Sequence, residues 1–250
     1  MRHKTTINNM KKFVWDKLIN LLRKFNKPLQ IQLINFSYLA KHMGQYNSLK
    51  QEKPVDSFNN PLPWITYPCI EYLNQFDFSS EIVFEYGSGG STKWFLNKNS
   101  REVVSVENDI NWFNVLLEDQ KKFKNLTPIF ANTVNDFIGN NKVFDASIVF
   151  IDCDSSYRLK ILQNLYTNID KINSKIKCII IDDVDKKNLK GGDIDKIVFD
   201  LAKKLNWVQI DFMGFRPFNR TYASTTVLVN PNKQLVRDFE IKPLSAFSQF

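Results

Sequence analysis

The sequence predicts an α/β protein in which a parallel sheet is closed by a C-terminal antiparallel hairpin and preceded by a helical arm. From residue 61 onward, apolar runs of strand length alternate with helical patterns, which is typical of parallel strands joined by crossover helices. The last two apolar runs are joined by a turn-rich connection with no helical pattern, which favours antiparallel pairing. The first 53 residues, which belong to the arm, differ sharply in charge from the rest.

The arm begins with an amphipathic helix at residues 10–25. Four of its apolar side chains fall on one helical stripe, with polar side chains opposite: Val14, Leu18, Leu21 and Phe25. A weaker helical pattern covers 29–43, and the polar, turn-rich segment 44–63 is interpreted as a linker or a lid. We therefore divide the chain into an arm, residues 1–60, and a domain, residues 61–250.

The domain contains seven predicted strands. They lie at 82–84, 103–106, 127–130, 147–151, 178–181, 208–212 and 225–229. Helical patterns lie at 91–97, 110–123, 134–138, 155–172 and 194–205. The first five strands are separated by helices and are expected to be parallel, because right-handed crossovers need such connections. The last two are expected to pair as a hairpin.

Charge and residue usage exclude several classes of protein. The net charge is +8, but residues 1–53 hold eleven Lys/Arg and two acids, so these residues carry +9 and the remainder −1. The chain has no apolar run of membrane-spanning length, and Asp16 and Lys17 interrupt the first apolar stretch, so neither a membrane span nor a secretory signal is predicted. Three cysteines without a CxxC pair are expected to be reduced thiols in a cytoplasmic protein. Both histidines precede the domain, which disfavours triad hydrolases.

Glycines and acids follow the ends of the first two strands. The first strand ends in Glu85-Tyr86-Gly87-Ser88-Gly89-Gly90, and the second ends at Glu107, twenty positions after Gly87. In open α/β sheets ligands bind beyond the carboxyl ends of the strands, and this spacing suits a nucleoside whose ribose binds the second acid. Two patterns compete: the dinucleotide G-x-G-x-x-G, whose third glycine would fall at Thr92, and acid-x-Gly-x-Gly.

The stretch Glu85-Tyr86-Gly87-Ser88-Gly89 resembles the acid-x-Gly-x-Gly motif of class I S-adenosylmethionine-dependent methyltransferases. The segment VVSVEND looks like that family's second strand with its ribose-binding acid, and the terminal hairpin is a hallmark of its fold. The resemblance covers roughly residues 61–230. It implies a Rossmann-like sheet of seven strands, S-adenosyl-L-methionine as cofactor and methyl transfer as the reaction.

The resemblance also implies a set of cofactor-binding residues. These are Glu85, Tyr86, Gly87, Ser88, Gly89, Ser91, Thr92, Glu107 and Asn132. Gly87 and Gly89 let the backbone approach the methionine part of the cofactor, and Glu85 holds the turn or the cofactor's amino group. Glu107 binds the ribose, and Asn132 lies where the family contacts the adenine.

Further acids follow the fourth and fifth strands, as Asp152-Cys153-Asp154 and Asp182-Asp183. Converging carboxylates repel one another unless a cation lies between them, and oxygen ligands without His or Cys favour Mg²⁺. The arrangement is similar to that of divalent-metal-dependent O-methyltransferases of the catechol and macrolide-sugar types. This implies Asp152, Asp182 and Asp183 as metal ligands, and Asp152 and Asp154 as catalytic residues with Asp154 as base. Cys153 replaces the glycine of the sugar enzymes' D-G-D element, and helix capping with direct binding of substrate is the alternative interpretation.

The expected function is therefore O-methylation of a hydroxyl on a small molecule or glycan, assisted by Mg²⁺. Alternatives left open are an RNA or protein methyltransferase, an NAD-binding oxidoreductase and a non-catalytic scaffold. The arm suits peripheral contact with an anionic membrane, nucleic acid, a second protomer in a homodimer, or packing on the domain as a lid. Nucleic acid is disfavoured because the domain is nearly neutral and lacks an Asn/Asp-Pro-Pro-Tyr/Phe motif.

Overall fold

Seven strands form one mixed sheet in the computed structural model, which describes residues 2–185, 194–218 and 222–240. The strands are β1 Ile82–Tyr86, β2 Glu102–Glu107, β3 Leu126–Phe130, β4 Ile148–Ile151, β5 Cys178–Asp182, β6 Val208–Gly214 and β7 Ala223–Val229. Their order across the sheet is β3-β2-β1-β4-β5-β7-β6. The first five are parallel, and β7 runs antiparallel to both β5 and β6. The predicted fold class is confirmed.

Helices cover both faces of this sheet. They are α1 Arg2–Phe25, α2 Lys27–Lys41, α3 Gln45–Gln51, α4 Tyr67–Leu73, α5 Gly90–Asn97, α6 Ile110–Lys122, α7 Val134–Ile138, α8 Ser155–Thr167, α9 Ile169–Lys175 and α10 Ile194–Leu205. Apolar residues of α4, α5 and α6 form one core with the sheet, and those of α7, α8 and α10 form a second core on the opposite face. Because β1 and β4 lie at the centre of the order, they are covered on both sides and are built almost entirely of buried residues.

Two regions differ from the prediction. The helical pattern at 155–172 is two helices, since the chain breaks at Asn168, whose side-chain amide donates to the Asn164 carbonyl at 2.9 Å and closes the end of α8. The helices α3 and α4 are absent from the sequence-based prediction. The α3 sequence is polar, and the helix is held by a reciprocal contact in which Ser48 Oγ donates to the Val55 carbonyl at 2.7 Å and accepts from its N–H at 3.0 Å.

The segment that joins the arm to β1 packs on the domain. Ser48 and Val55 are buried, and the start of α4 is attached to the hairpin by two hydrogen bonds. The Thr66 N–H donates to Thr225 Oγ1 at 3.1 Å, and the Tyr67 N–H donates to the carbonyl of Phe215 at 2.8 Å. The chain before β1 therefore reaches the same end of the sheet as the strand-end acids. No helix in the described part of the chain is long and apolar enough to cross a membrane.

Candidate functional site

The sheet order brings the predicted site residues to one edge. Since β1 lies between β2 and β4, with β5 next to β4, the carboxyl ends of these four strands are adjacent. Glu85, Glu107, Asp152 and Asp182 therefore lie along a single edge of the sheet. Such an edge is where open α/β sheets bind ligands.

Three glycines lie between the end of β1 and the first residue of α5, and their surroundings are not the same. Gly87 has a φ of +88°, and a Cβ there would come within 2.3 Å of the Asp152 carbonyl oxygen. A Cβ on Gly90 would come within 2.3 Å of the Leu62 carbonyl oxygen. A Cβ on Gly89 would meet no described atom within 4 Å. Packing thus accounts for Gly87 and Gly90, whereas Gly89 borders open space at the start of α5.

Glu85 lies beneath this turn and is fully buried. Its Oε2 accepts hydrogen bonds from Thr92 Oγ1 and, at 2.8 Å, from Ser105 Oγ. Its Oε1 has no hydrogen-bond partner among the described residues. Burial raises the pKa of Glu85 to about 7. The neighbouring hydroxyls of Ser91, Thr92 and Ser105 favour the ionised form and partly offset this increase. A buried carboxylate oxygen without a hydrogen-bond partner is uncommon in proteins and calls for a structural or functional explanation.

Glu107 ties the end of β2 to the glycine turn. Its Oε2 accepts from the Ser88 N–H at 2.9 Å and from Ser88 Oγ at 2.7 Å. Its Oε1 accepts from the N–H groups of Asn108 and Asp109, both at 2.8 Å. The Ser88 hydroxyl can rotate away from Glu107 Oε2, which could then accept a hydrogen bond from a ligand hydroxyl. The three backbone N–H groups would stay hydrogen-bonded to Glu107.

The remaining predicted cofactor residues have different surroundings. Tyr86 is fully buried in the core beside Phe137, so its side chain is a packing residue and only its backbone borders the turn. Thr92 Oγ1 accepts from the Gly89 N–H at 3.1 Å while donating to Glu85, which connects the turn to the buried acid. Ser91 is also buried, and Asn132 is exposed just beyond β3.

The acids predicted to bind a metal are paired with a buried arginine. Asp182 Oδ2 accepts from Arg216 Nη1 at 2.9 Å, and Asp183 Oδ1 accepts from Arg216 Nη2. Asp182 Oδ1 also accepts from Thr225 Oγ1 at 2.8 Å. Asp183 has a φ of +56°, a strained conformation that its backbone hydrogen bond to Ser224 helps to fix. Burial raises the pKa of Asp182 above the usual carboxyl range, and Arg216 opposes this.

A second buried arginine, Arg158 of α8, bridges β4 and β5. It donates to the carbonyls of Asp182 and Cys153, both at 2.6 Å, and approaches Asp152 at 3.7 Å and Asp183 at 3.8 Å. Both arginines were missed in the sequence analysis. The position of Arg158 could have been predicted from the sequence. It lies one helical turn after Asp154, and side chains in a helix point toward the helix start, which here lies next to the strand-end acids.

The donor set does not fit a magnesium ion. Two guanidinium groups already supply positive charge between Asp152, Asp182 and Asp183, and Asp182 uses both carboxylate oxygens in hydrogen bonds. No group of three His, Cys, Asp or Glu in the described residues has the arrangement of a metal site. The predicted magnesium site is not confirmed.

Asp154, the predicted base, caps α8. Its Oδ1 accepts from the Ser156 N–H at 2.8 Å and from Ser156 Oγ at 2.6 Å. Capping is the alternative role considered for a strand-end acid. The Asp152 side chain is 26% exposed and lies closer to the glycine turn, because its carbonyl packs against Gly87.

Solved structures with a similar chain path include three proteins with methyltransferase or cofactor descriptions. A precorrin-6y C5,15-methyltransferase from Geobacter metallireducens has 14% identity and a TM-score of 0.45, covering 64% of this chain and 85% of its own. A putative tRNA (m1A22) methyltransferase from Streptococcus pneumoniae, in complex with S-adenosyl-L-methionine, has 11% identity and a TM-score of 0.47, covering 70% and 77%. A cofactor-bound protein from MTB has 13% identity and a TM-score of 0.49, covering 66% and 80%.

No protein-family model matches the chain, and no curated protein matches it. At these identities and TM-scores the structural likeness carries no information about cofactor, reaction or substrate. The functional conclusion therefore depends on the residues of the site.

Two cavities border the linker, and the smaller of them includes residues of the glycine turn. One of about 190 Å³ is formed by the linker, including Pro54 and Asn59, against Ser88, Gly89 and Trp112. A larger one of about 610 Å³ lies between the linker and the outer sides of α4 and α5, and includes none of the strand-end acids. The smaller cavity is the one that adjoins the open space at Gly89.

Proposed function

We propose that this protein is an S-adenosylmethionine-dependent methyltransferase with its cofactor crevice at the carboxyl ends of β1 and β2. The observation that carries the proposal is the open space at Gly89 above a buried Glu85. Thr92 connects the Gly89 N–H to Glu85 Oε2, while Glu85 Oε1 has no partner among the described residues. An unsatisfied buried carboxylate suits an ammonium group, since the pairing removes the cost of the lone acid. The methionine part of S-adenosylmethionine carries such a group.

Each residue then has a defined task. Glu85 accepts the ammonium group, and Gly89 lets the ligand approach the backbone where a side chain would block it. Glu107 accepts hydrogen bonds from ribose hydroxyls after the Ser88 hydroxyl turns away. When bound, the cofactor supplies an electrophilic methyl group.

The acceptor we propose is a hydroxyl on a small molecule or glycan. On this proposal Asp152, partly exposed after β4, accepts the proton of a hydroxyl that binds beyond the carboxyl ends of β1 and β4. Arg158, held by two carbonyls, keeps the Asp152 carboxylate in a fixed position. Orientation of the acceptor oxygen toward the methyl group would then supply most of the rate increase.

No step of this proposal uses a metal ion, because Arg216 and Arg158 occupy the positions around the acids that a cation would need. The metal-assisted version of the reaction makes a different prediction, namely loss of turnover on chelation.

The test is methyl transfer from labelled S-adenosylmethionine to a panel of hydroxyl-bearing sugars and small molecules, with and without a chelator. We expect transfer that survives chelation and falls strongly in Asp152→Asn. The control is Asp145→Asn, an exposed acid that precedes β4 and is therefore at the opposite edge of the sheet from the carboxyl ends. Transfer to nitrogen or to RNA would contradict the acceptor class. Transfer abolished by chelation and restored by Mg²⁺ would contradict the metal-free reaction.

A further inference from the structure

The first helix carries two apolar stripes, and only one of them has an evident partner among the described residues. Trp15, Ile19 and Leu22 are half-buried, and Lys41 of α2 lies 5.4 Å from the Trp15 ring. This stripe packs on α2, which is the main contact of α1 among the described elements. The helix hairpin is therefore held together on one side of α1.

The second stripe faces solvent. Its members recur at helical spacing, and each is exposed: Val14 by 60%, Leu18 by 42%, Leu21 by 55% and Phe25 by 79%. A contiguous row of large apolar side chains on a helix surface is a typical mark of an interaction site. It is the same stripe that the sequence pattern places opposite the polar residues of this helix.

Charged residues are arranged around this stripe in an ordered way. At about 100° per residue, Lys17 and Lys24 flank one side of it, and Asp16, the acid of this helix, falls on the opposite side. Lys17 Nζ lies 4.4 Å from the ring centroid of Phe13, at the margin of the stripe. Residues 1–53 carry +9, whereas the rest of the chain carries −1.

We propose that α1 docks on an anionic lipid bilayer, with the exposed stripe inserted at the level of the headgroups and the basic residues beside them. Apolar side chains flanked by lysines are the features by which helices bind such surfaces. Lysine side chains can lie along the apolar stripe and place their charge among the phosphates. The inference goes beyond methyl transfer and does not depend on it.

The charge and the apolar stripe together favour an anionic bilayer over a second copy of the chain or nucleic acid. A second copy of the chain would bring two basic segments together, each carrying +9 over residues 1–53, which disfavours pairing through this face. Nucleic acid would use the positive charge but leave the apolar stripe exposed, since phosphates bind lysine and arginine. An anionic bilayer uses both the stripe and the charge.

The experiment measures sedimentation of the full-length protein with vesicles. Phosphatidylcholine vesicles are compared with vesicles that also contain phosphatidylserine. We expect binding to the mixed vesicles at least roughly tenfold tighter than to the neutral ones, weakened by salt, because several basic residues each contribute to the attraction.

Two pairs of variants separate the stripe from the charge. Leu18→Gln with Leu21→Gln should reduce binding about tenfold or more, whereas Phe199→Gln, a residue of α10 with a similar exposure of 58%, should not. Lys17→Glu with Lys24→Glu should remove the preference for phosphatidylserine, and Lys160→Glu with Lys196→Glu, the same charge change on the domain, should leave it.

Three results would overturn the proposal. One is equal binding of wild type and the Leu18/Leu21 variant to mixed vesicles. Another is salt-sensitive binding of RNA, with no binding to vesicles, which would assign the arm to nucleic acid. The third is a dimer in sedimentation equilibrium that becomes a monomer in the Leu18/Leu21 variant.

Discussion

Replacing Glu85 by Gln should change how the stability of the protein depends on pH. In the folded protein the pKa of Glu85 is raised from 4.5 to about 7, mainly by burial. The folded state therefore holds the proton more tightly than the unfolded chain, so stability is highest at low pH and falls as pH rises from about 4.5 to about 7. A shift of roughly two and a half pKa units corresponds to about 3 kcal/mol. Glutamine has a similar shape and cannot ionise, so the variant lacks this loss.

Urea unfolding of both proteins near pH 5 and near pH 8 gives the measurement. Relative to the wild type, Glu85→Gln should gain about 2.5 kcal/mol of unfolding free energy between pH 5 and pH 8, because the wild type loses most of this stability in that interval and the variant cannot ionise. Comparison of two proteins cancels the titration of all other groups. If the free energy of unfolding depended on pH equally in the two proteins, the pKa of Glu85 would not be raised by burial, and the argument would be wrong.

The same variant links stability to binding. If Glu85 Oε1 accepts an ammonium group, binding of S-adenosylhomocysteine needs the ionised carboxylate and should tighten as pH rises through about 7. Glu85→Gln should bind more weakly above pH 7 and lose this pH dependence. A variant that binds as tightly as the wild type at every pH would remove Glu85 from the cofactor site.

Three further predictions follow from individual contacts. In urea, the unfolding free energy of Gly89→Ala should stay within about 1 kcal/mol of the wild type, yet this variant should bind S-adenosylhomocysteine at least roughly tenfold more weakly. Gly90→Ala should lose stability, because its Cβ collides with a carbonyl. Equal behaviour of the two variants would contradict the open site at Gly89. Arg216→Ala should lower the free energy of unfolding by about 3–5 kcal/mol, because it leaves buried acids unpaired. Mg²⁺ should raise the melting temperature of this variant but not that of the wild type. Saturable stabilisation of the wild type by Mg²⁺ would support the magnesium site after all. Asp154→Ala should lower the free energy of unfolding by about 1 kcal/mol, and Asp154→Asn should change it little, because asparagine also caps helices. Turnover should be retained in Asp154→Asn. Loss of turnover at unchanged stability would identify Asp154 as the base.

The strands and the main helices were predictable because each carries its own apolar pattern. Elements whose stability comes from elsewhere were not. The α3 helix is polar, and its buried hydroxyl at Ser48 is satisfied by Val55 across a turn, a contact that no periodicity shows. The break at Asn168 was missed because apolar residues continue across it in α9.

The acids of the site were also predictable, since they follow the strands directly. Their counter-charge was not, because a metal ion and a guanidinium group neutralise carboxylates equally well. Arg216 belongs to the connection between β6 and β7, 33 residues after Asp183, and only the fold brings the two together. The three glycines show the same limit, since the motif treats Gly87 and Gly89 alike while the structure gives them different reasons.

Calorimetric titration of the wild-type protein with S-adenosylhomocysteine, and separately with NAD, tests the central claim most directly. We predict saturable binding of S-adenosylhomocysteine at about one molecule per chain. Binding should be at least roughly tenfold weaker in Glu107→Ala, because this carboxylate holds the glycine turn and is the proposed acceptor for the ribose hydroxyls. No binding of NAD is expected. Tight binding of NAD, or an affinity for S-adenosylhomocysteine that is unchanged in a folded Glu107→Ala variant, would contradict the account.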